Sequence, residues 1–179
     1  MTIVFWDISS FSVLCYNLDK QPIIVTDFLR DYLEVAIKCI HDHRGIVDKS
    51  IGDGILSFFG FDNEDKKSDA HDAITAALEL RQRFENIKRK WIEIWSKDLG
   101  NGKISLDVKC EINTGAVLFG SLDTDTMSQV TILESPVNLA SKLESVAEKD
   151  QIIISTDVRD LIQGEFELQK FVPKKSIQS

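Results

Sequence analysis

With 179 residues, 43% of them hydrophobic and 28% charged, the chain has the size and composition of one soluble globular domain with a full core, and a single domain over 1–179 is expected. A formal net charge of −8 argues against a nucleic-acid partner, which needs a basic face to displace counterions from phosphates. Nothing approaches the ~20 apolar residues of a membrane span, and residues 1–7 lack the basic-then-apolar pattern of a signal peptide. Cys15, Cys39 and Cys110 are odd in number and widely spaced, which fits neither a disulfide framework nor a zinc cluster; a reducing cytoplasm is the expected compartment.

In chain order, residues 2–6 form a short apolar run that reads as a buried strand ending on Asp7, and Ile8-Ser9-Ser10-Phe11-Ser12 then turns toward a helix. Val25, Phe28, Leu29, Tyr32, Ala36 and Ile40 fall at helical spacing, with basic residues and Gly45 to stop that helix. Residues 46–51 and 55–59 are β-rich runs on either side of Gly52-Asp53-Gly54, and an Asp-Gly turn there predicts a hairpin. A long second helix is expected over 70–95, with its lysines and arginines on a solvated face. Strands follow over 104–112, 116–122 and 129–133, and Ser135-Pro136 opens a third helix as a serine cap with proline at its first position. A strand at 152–154, a short helix at 156–162 and one more strand over 166–171 complete the reading. This order predicts an α+β fold, a mainly antiparallel sheet with helices on one face in the ferredoxin-like manner.

Two carboxylates draw notice. Asp7 closes the first strand and Asp53 sits at the hairpin tip, and a ferredoxin-like sheet lays those elements side by side. Facing each other, the pair would repel unless a divalent cation bridged them, and hard oxygen ligands suit Mg²⁺ or Mn²⁺. The alternative is that Asp7 caps the following helix and Asp53 is only a turn residue. His41 and His43, two apart at a helix end, read as partners of the helix dipole rather than metal ligands.

Four blocks carry a family resemblance. Phe5-Trp6-Asp7-Ile8-Ser9-Ser10-Phe11-Ser12 resembles the opening strand and turn of class III adenylate and guanylate cyclases. Gly45-Ile46-Val47-Asp48-Lys49-Ser50-Ile51-Gly52-Asp53-Gly54 resembles their hairpin, and Ile112-Asn113-Thr114-Gly115 and the run from Pro136 to Glu144 match two more blocks in the same order. The resemblance implies a catalytic domain that converts a nucleoside triphosphate to its 3′,5′-cyclic monophosphate and pyrophosphate. It implies two Mg²⁺ or Mn²⁺ ions per site, held by Asp7, Asp53 and the Ile8 carbonyl, with the turn at Phe11 and Ser12 facing the triphosphate. Asn138 would orient the ribose, and Lys142 stands where the family has an arginine that stabilises the transferring phosphate. Lys49 and Thr131 match the base-contacting positions and favour ATP over GTP. By position alone, Lys49 is equally a strand lysine, Thr131 a β-branched strand residue and Lys142 a solvated helix lysine.

The family places the metal aspartates on one subunit and the base and ribose contacts on the other, so a homodimer with shared active sites is implied. A cyclic-nucleotide effector protein would read the product. Glu134 replaces a glycine usual in the family, and a chain starting directly on the first strand resembles the pyrimidine cyclases of bacterial anti-phage defence, which make cyclic CMP or cyclic UMP. The lysine at 142 leaves open a third reading, a degenerate domain that binds nucleotide and regulates a partner.

Overall fold

The computed structural model describes residues 1–18, 21–61, 65–99, 106–117, 119–123, 128–132 and 150–170. Five strands form a mixed sheet in the order β2-β3-β1-β4-β7. They are β1 (Thr2–Ile8), β2 (Ile46–Ile51), β3 (Gly54–Phe59), β4 (Val108–Thr114) and β7 (Ile152–Ile154). The pairings β1–β3, β1–β4 and β2–β3 are antiparallel, and β4–β7 is parallel. Strands β5 (Phe119–Asp123) and β6 (Ser128–Ile132) pair with each other in a separate two-stranded sheet.

Helices α2 (Pro22–Asp42) and α3 (Lys66–Leu99) cover one face of the five-stranded sheet. Along α2, Phe28, Tyr32, Ala36 and Ile40 recur at one-turn spacing and are fully buried, meeting Val4, Trp6 and Ile8 from β1 in one core. Phe28 packs edge-on to Phe84, Trp91 and Trp95 of α3, with ring centroids 5.1–6.4 Å apart. Trp6 Nε1 donates to Ser57 Oγ at 2.7 Å beneath this layer, which joins β1 to β3 through side chains as well as backbone. The opposite face of the sheet carries a smaller cluster of Ile3, Leu56 and Phe58.

The α+β expectation holds, with several differences in detail. The turn after β1 enters a separate short helix, α1 (Phe11–Asn17), before α2 begins at Pro22. The residue that leaves α2 in the left-handed region is Arg44 (φ 64°), not Gly45. Gly45 is required for a different reason: a Cβ there would come within 2.6 Å of the Phe59 ring and 2.7 Å of Ile40. The strand expected from residue 104 begins at Val108, and the one expected at 116–122 is β5, outside the main sheet. Residues 166–170 form no strand, since α4 (Thr156–Leu161) ends in a run of turns and, among the described residues, no neighbouring strand offers them a ladder. The predicted third helix at Ser135-Pro136 lies outside the described residues.

Candidate active site

The register of β1 against β3 pairs Trp6 with Ile55, which brings Asp7 level with Gly54 at the mouth of the β2–β3 hairpin. Because Ile51 pairs with Gly54, the loop consists of Gly52 and Asp53 rather than an Asp-Gly pair. Gly52 takes φ 62° while Asp53 stays out of the left-handed region, the pattern of a tight II′ turn in which glycine sits first. This places Asp53 at the tip with no slack, and its Oδ2 accepts a hydrogen bond from the Ile8 amide at 3.1 Å. The two aspartates thus meet, as the ferredoxin-like layout predicts. Burial, then a hydrogen bond and charge from the Asp7 carboxyl, push the Asp53 carboxyl up to about 7.

The cap reading of Asp7 is overturned. Ser10 is the N-cap of α1, in the left-handed conformation (φ 64°, ψ 16°), and no side chain caps that end. The Asp7 carboxylate instead faces Lys109 Nζ at 2.9 Å, and the two residues are direct cross-strand partners between β1 and β4. Sequence reasoning missed Lys109. Its signal lay in the alternation of residues 108–113, which puts Lys109, Glu111 and Asn113 together on the face away from the helices. Glu111 and Asn113 are almost wholly buried on that face, and both are engaged by neighbours.

The turn between β1 and α1 is pinned from behind. Ser9 N–H donates to the Asp107 carbonyl at 2.9 Å, the Ser9 hydroxyl donates to the same carbonyl at 3.0 Å, and the Asp107 amide donates back to that hydroxyl at 3.1 Å. Phe11 turns its ring onto Phe28, centroids 6.3 Å apart, and stays partly exposed. Ser12 is exposed. Burial and then the Asp53 charge raise the Cys15 thiol, a sign that α1 runs beside the acid pair. From the helix layer, Tyr32 sits behind the same pair: burial, then the charges of Asp53 and Asp7, push its hydroxyl well up.

Lys49 lies on the same sheet face as Asp7 but two strands away, since it pairs with Leu56, which pairs with Phe5. Sheet spacing separates the Lys49 and Asp7 backbones by about 12 Å. Thr131 lies in β6 opposite Gly120. Asn138 and Lys142 lie outside the described residues, as does Glu134.

The donor set fits a hard divalent cation. Two carboxylates share one site, one of them pushed up to about 7 by burial first and by the other carboxyl second, and the Lys109 ammonium already stands 2.9 Å from Asp7. Among the described residues no cluster of three or more His, Cys, Asp or Glu side chains forms, so water and substrate oxygens would complete the shell.

The chain as a whole has relatives among known proteins. The family model of the adenylate and guanylate cyclase catalytic domain matches residues 1–176, and the chain belongs to this family. The terminal-differentiation-specific adenylate cyclase of Dictyostelium discoideum is 32% identical over 84% of this chain and 6% of its own length. A cytidylate cyclase of Escherichia coli is 28% identical over 89% of this chain and 35% of its own. The chain therefore spans about a third or less of these relatives. The crystal structure of the adenylyl cyclase CyaB from P. aeruginosa superposes with a TM-score of 0.82 and 31% identity, over 90% of this chain and 79% of that one. No described helix is long and apolar enough to cross a membrane.

Proposed function

We propose that this chain cyclises a nucleoside triphosphate, with ATP favoured, to its 3′,5′-cyclic monophosphate and pyrophosphate, at sites shared between two copies. The observation that carries the reading is the Asp7–Asp53 pair, built by strand register and fixed by the Ile8 amide. Asp7, Asp53 and the Ile8 carbonyl would hold Mg²⁺ or Mn²⁺. When bound, two such ions would activate the ribose 3′-hydroxyl and neutralise charge on the α-phosphate and leaving pyrophosphate.

The chain's own groups take the remaining work. Lys109, 2.9 Å from Asp7, would bring positive charge to the triphosphate end of the site. The exposed start of α1, through the amides of Phe11 and Ser12, favours anions. Lys49 and Thr131 would read the base, Asn138 would orient the ribose, and Lys142 would place a point charge near the transferring phosphate. A lysine there lacks the planar fork of arginine, so Lys142→Arg is expected to raise kcat with little change in KM.

A second reading is a pyrimidine cyclase making cyclic CMP or cyclic UMP in anti-phage defence. The likeness to a cytidylate cyclase and the carboxylate at Glu134 favour it. Purified protein incubated with Mn²⁺ and each of ATP, GTP, CTP and UTP, with Asp53→Ala as blank, separates the readings by chromatography of products. Cyclic AMP supports the first, cyclic CMP or UMP the second, and nucleotide binding without product refutes both in favour of a regulatory domain. Specific activity should also fall steeply on dilution if two copies build each site; constant activity in a strictly monomeric sample would refute the shared site.

A further inference from the structure

We infer that Asp48 is a positioning residue for base recognition, brought beside Lys49 by a β-bulge and setting where the lysine ammonium stands. The inference rests on the reading of Lys49 as a base contact. Along β2, Ile46 pairs with Phe58 and Val47 with Ser57, but the next pair is Lys49 with Leu56. Asp48 is the extra residue, two on one strand opposing one on the other.

The bulge decides where the lysine goes. Val47 packs into the helix-side core, so strict alternation would send Asp48 to the open face and Lys49 back toward the helices. The inserted residue cancels one step. Lys49 joins Leu56 and Phe5 on the open face that carries Asp7, and Asp48 stays there with it. The contact itself confirms this: successive side chains of a regular strand diverge, yet Lys49 Nζ lies 3.1 Å from Asp48 Oδ2.

The pair is asymmetric in a useful way. The Asp48 side chain is only 5% exposed, whereas that of Lys49 is 32% exposed. A buried carboxylate needs a charged partner nearby, and this one is too confined to move far. Lysine by contrast ends in a mobile point charge on a flexible four-carbon stem, able to donate to many acceptors. Tethering that charge to a fixed carboxylate converts it into a donor at one place. A base with an acceptor at that place is accepted, and one without is not. Asp48 therefore sets discrimination among bases, while the acid pair at the hairpin tip and the end of β1 holds the phosphate end.

The test measures dissociation constants of the four 3′-deoxynucleoside triphosphates, which cannot cyclise, with Mn²⁺ present and at a protein concentration that keeps copies associated. Wild type is compared with Asp48→Asn, Asp48→Glu and Lys49→Gln. The expected result is that Asp48→Asn lowers the preference for the best nucleotide about tenfold, as Lys49→Gln does. Mn²⁺ affinity by electron paramagnetic resonance and the melting temperature should stay unchanged, and Asp48→Glu should restore part of the preference. If Lys49→Gln leaves the preference intact, the base-reading role of Lys49 falls. If Lys49→Gln abolishes the preference and Asp48→Asn leaves it whole, the role of Asp48 alone is overturned. Should Asp48→Asn melt early, Asp48→Glu decides: a charge-retaining variant with native melting and no preference also overturns it.

Discussion

Replacing Asp53 by asparagine should make the metal-free protein more stable while removing its affinity for divalent cations. Asparagine keeps an acceptor for the Ile8 amide but carries no charge toward Asp7. The wild-type carboxyl rises from 3.8 to about 7 on folding, from burial first and the Asp7 carboxyl second. The sign follows directly. Between those values the folded chain binds a proton that the unfolded chain has lost, so metal-free stability falls as pH climbs from about 4 to about 7 and is flat above. Unscreened, three pH units correspond to about 4 kcal/mol. Asp53 is only half-buried and Lys109 partly neutralises its neighbour, which reduces this to about 1–2 kcal/mol. For a chain of this length that is roughly 3–6 °C in Tm at pH 8. At pH 5.5 about half the difference should remain, because only about half of the interval above 3.8 has been crossed. Melts in EDTA at the two pH values, repeated with Mn²⁺, supply the assay. Mn²⁺ should raise the wild-type Tm at pH 8 and leave the variant unmoved. A variant that melts at or below wild type at pH 8 would refute the claim that the two carboxyls strain each other.

Lys109→Met removes the ammonium that a divalent ion must displace from Asp7, so Mn²⁺ affinity without nucleotide should tighten several-fold while KM for the triphosphate rises about tenfold; unchanged Mn²⁺ affinity would count against the exchange. Trp6→Phe leaves buried Ser57 without its 2.7 Å partner and should cost about 1–3 kcal/mol in urea titrations. Gly45→Ala forces a methyl against Phe59 and Ile40 and is expected to cost about 1–3 kcal/mol, read the same way.

The elements whose periodicity is set by one-sided burial were readable from the chain. The stripe of Phe28, Tyr32, Ala36 and Ile40 announced α2, and the apolar run ending on Asp7 announced β1. Asp7 and Asp53 could be matched because adjacent antiparallel strands have few ways to lie. What stayed hidden depended on register and on departures from alternation. Lys109 gained meaning only once β4 was laid beside β1 residue against residue. The bulge at Asp48 breaks a period-two pattern by one residue, which a window over β2 reads as an ordinary strand. Gly45 looked like a helix stop because glycine commonly is one, whereas here the space beside Phe59 demands it. Residues 166–171 read as one more strand, but among the described residues 166–170 have no strand to pair with.

The cross-strand contact between Asp7 and Lys109 also has a consequence in time. The lysine follows the aspartate by about 100 residues, which is roughly 5–20 s of synthesis at ordinary ribosomal speed. Asp53 emerges well before Lys109, so the first strand and its hairpin can meet while β4 is still unmade. A nascent chain pausing there would carry two facing carboxyls with no ammonium beside Asp7. Only a proton or a borrowed cation could quiet that pair, and refolding through such an intermediate should quicken in mild acid or with Mn²⁺ in the buffer.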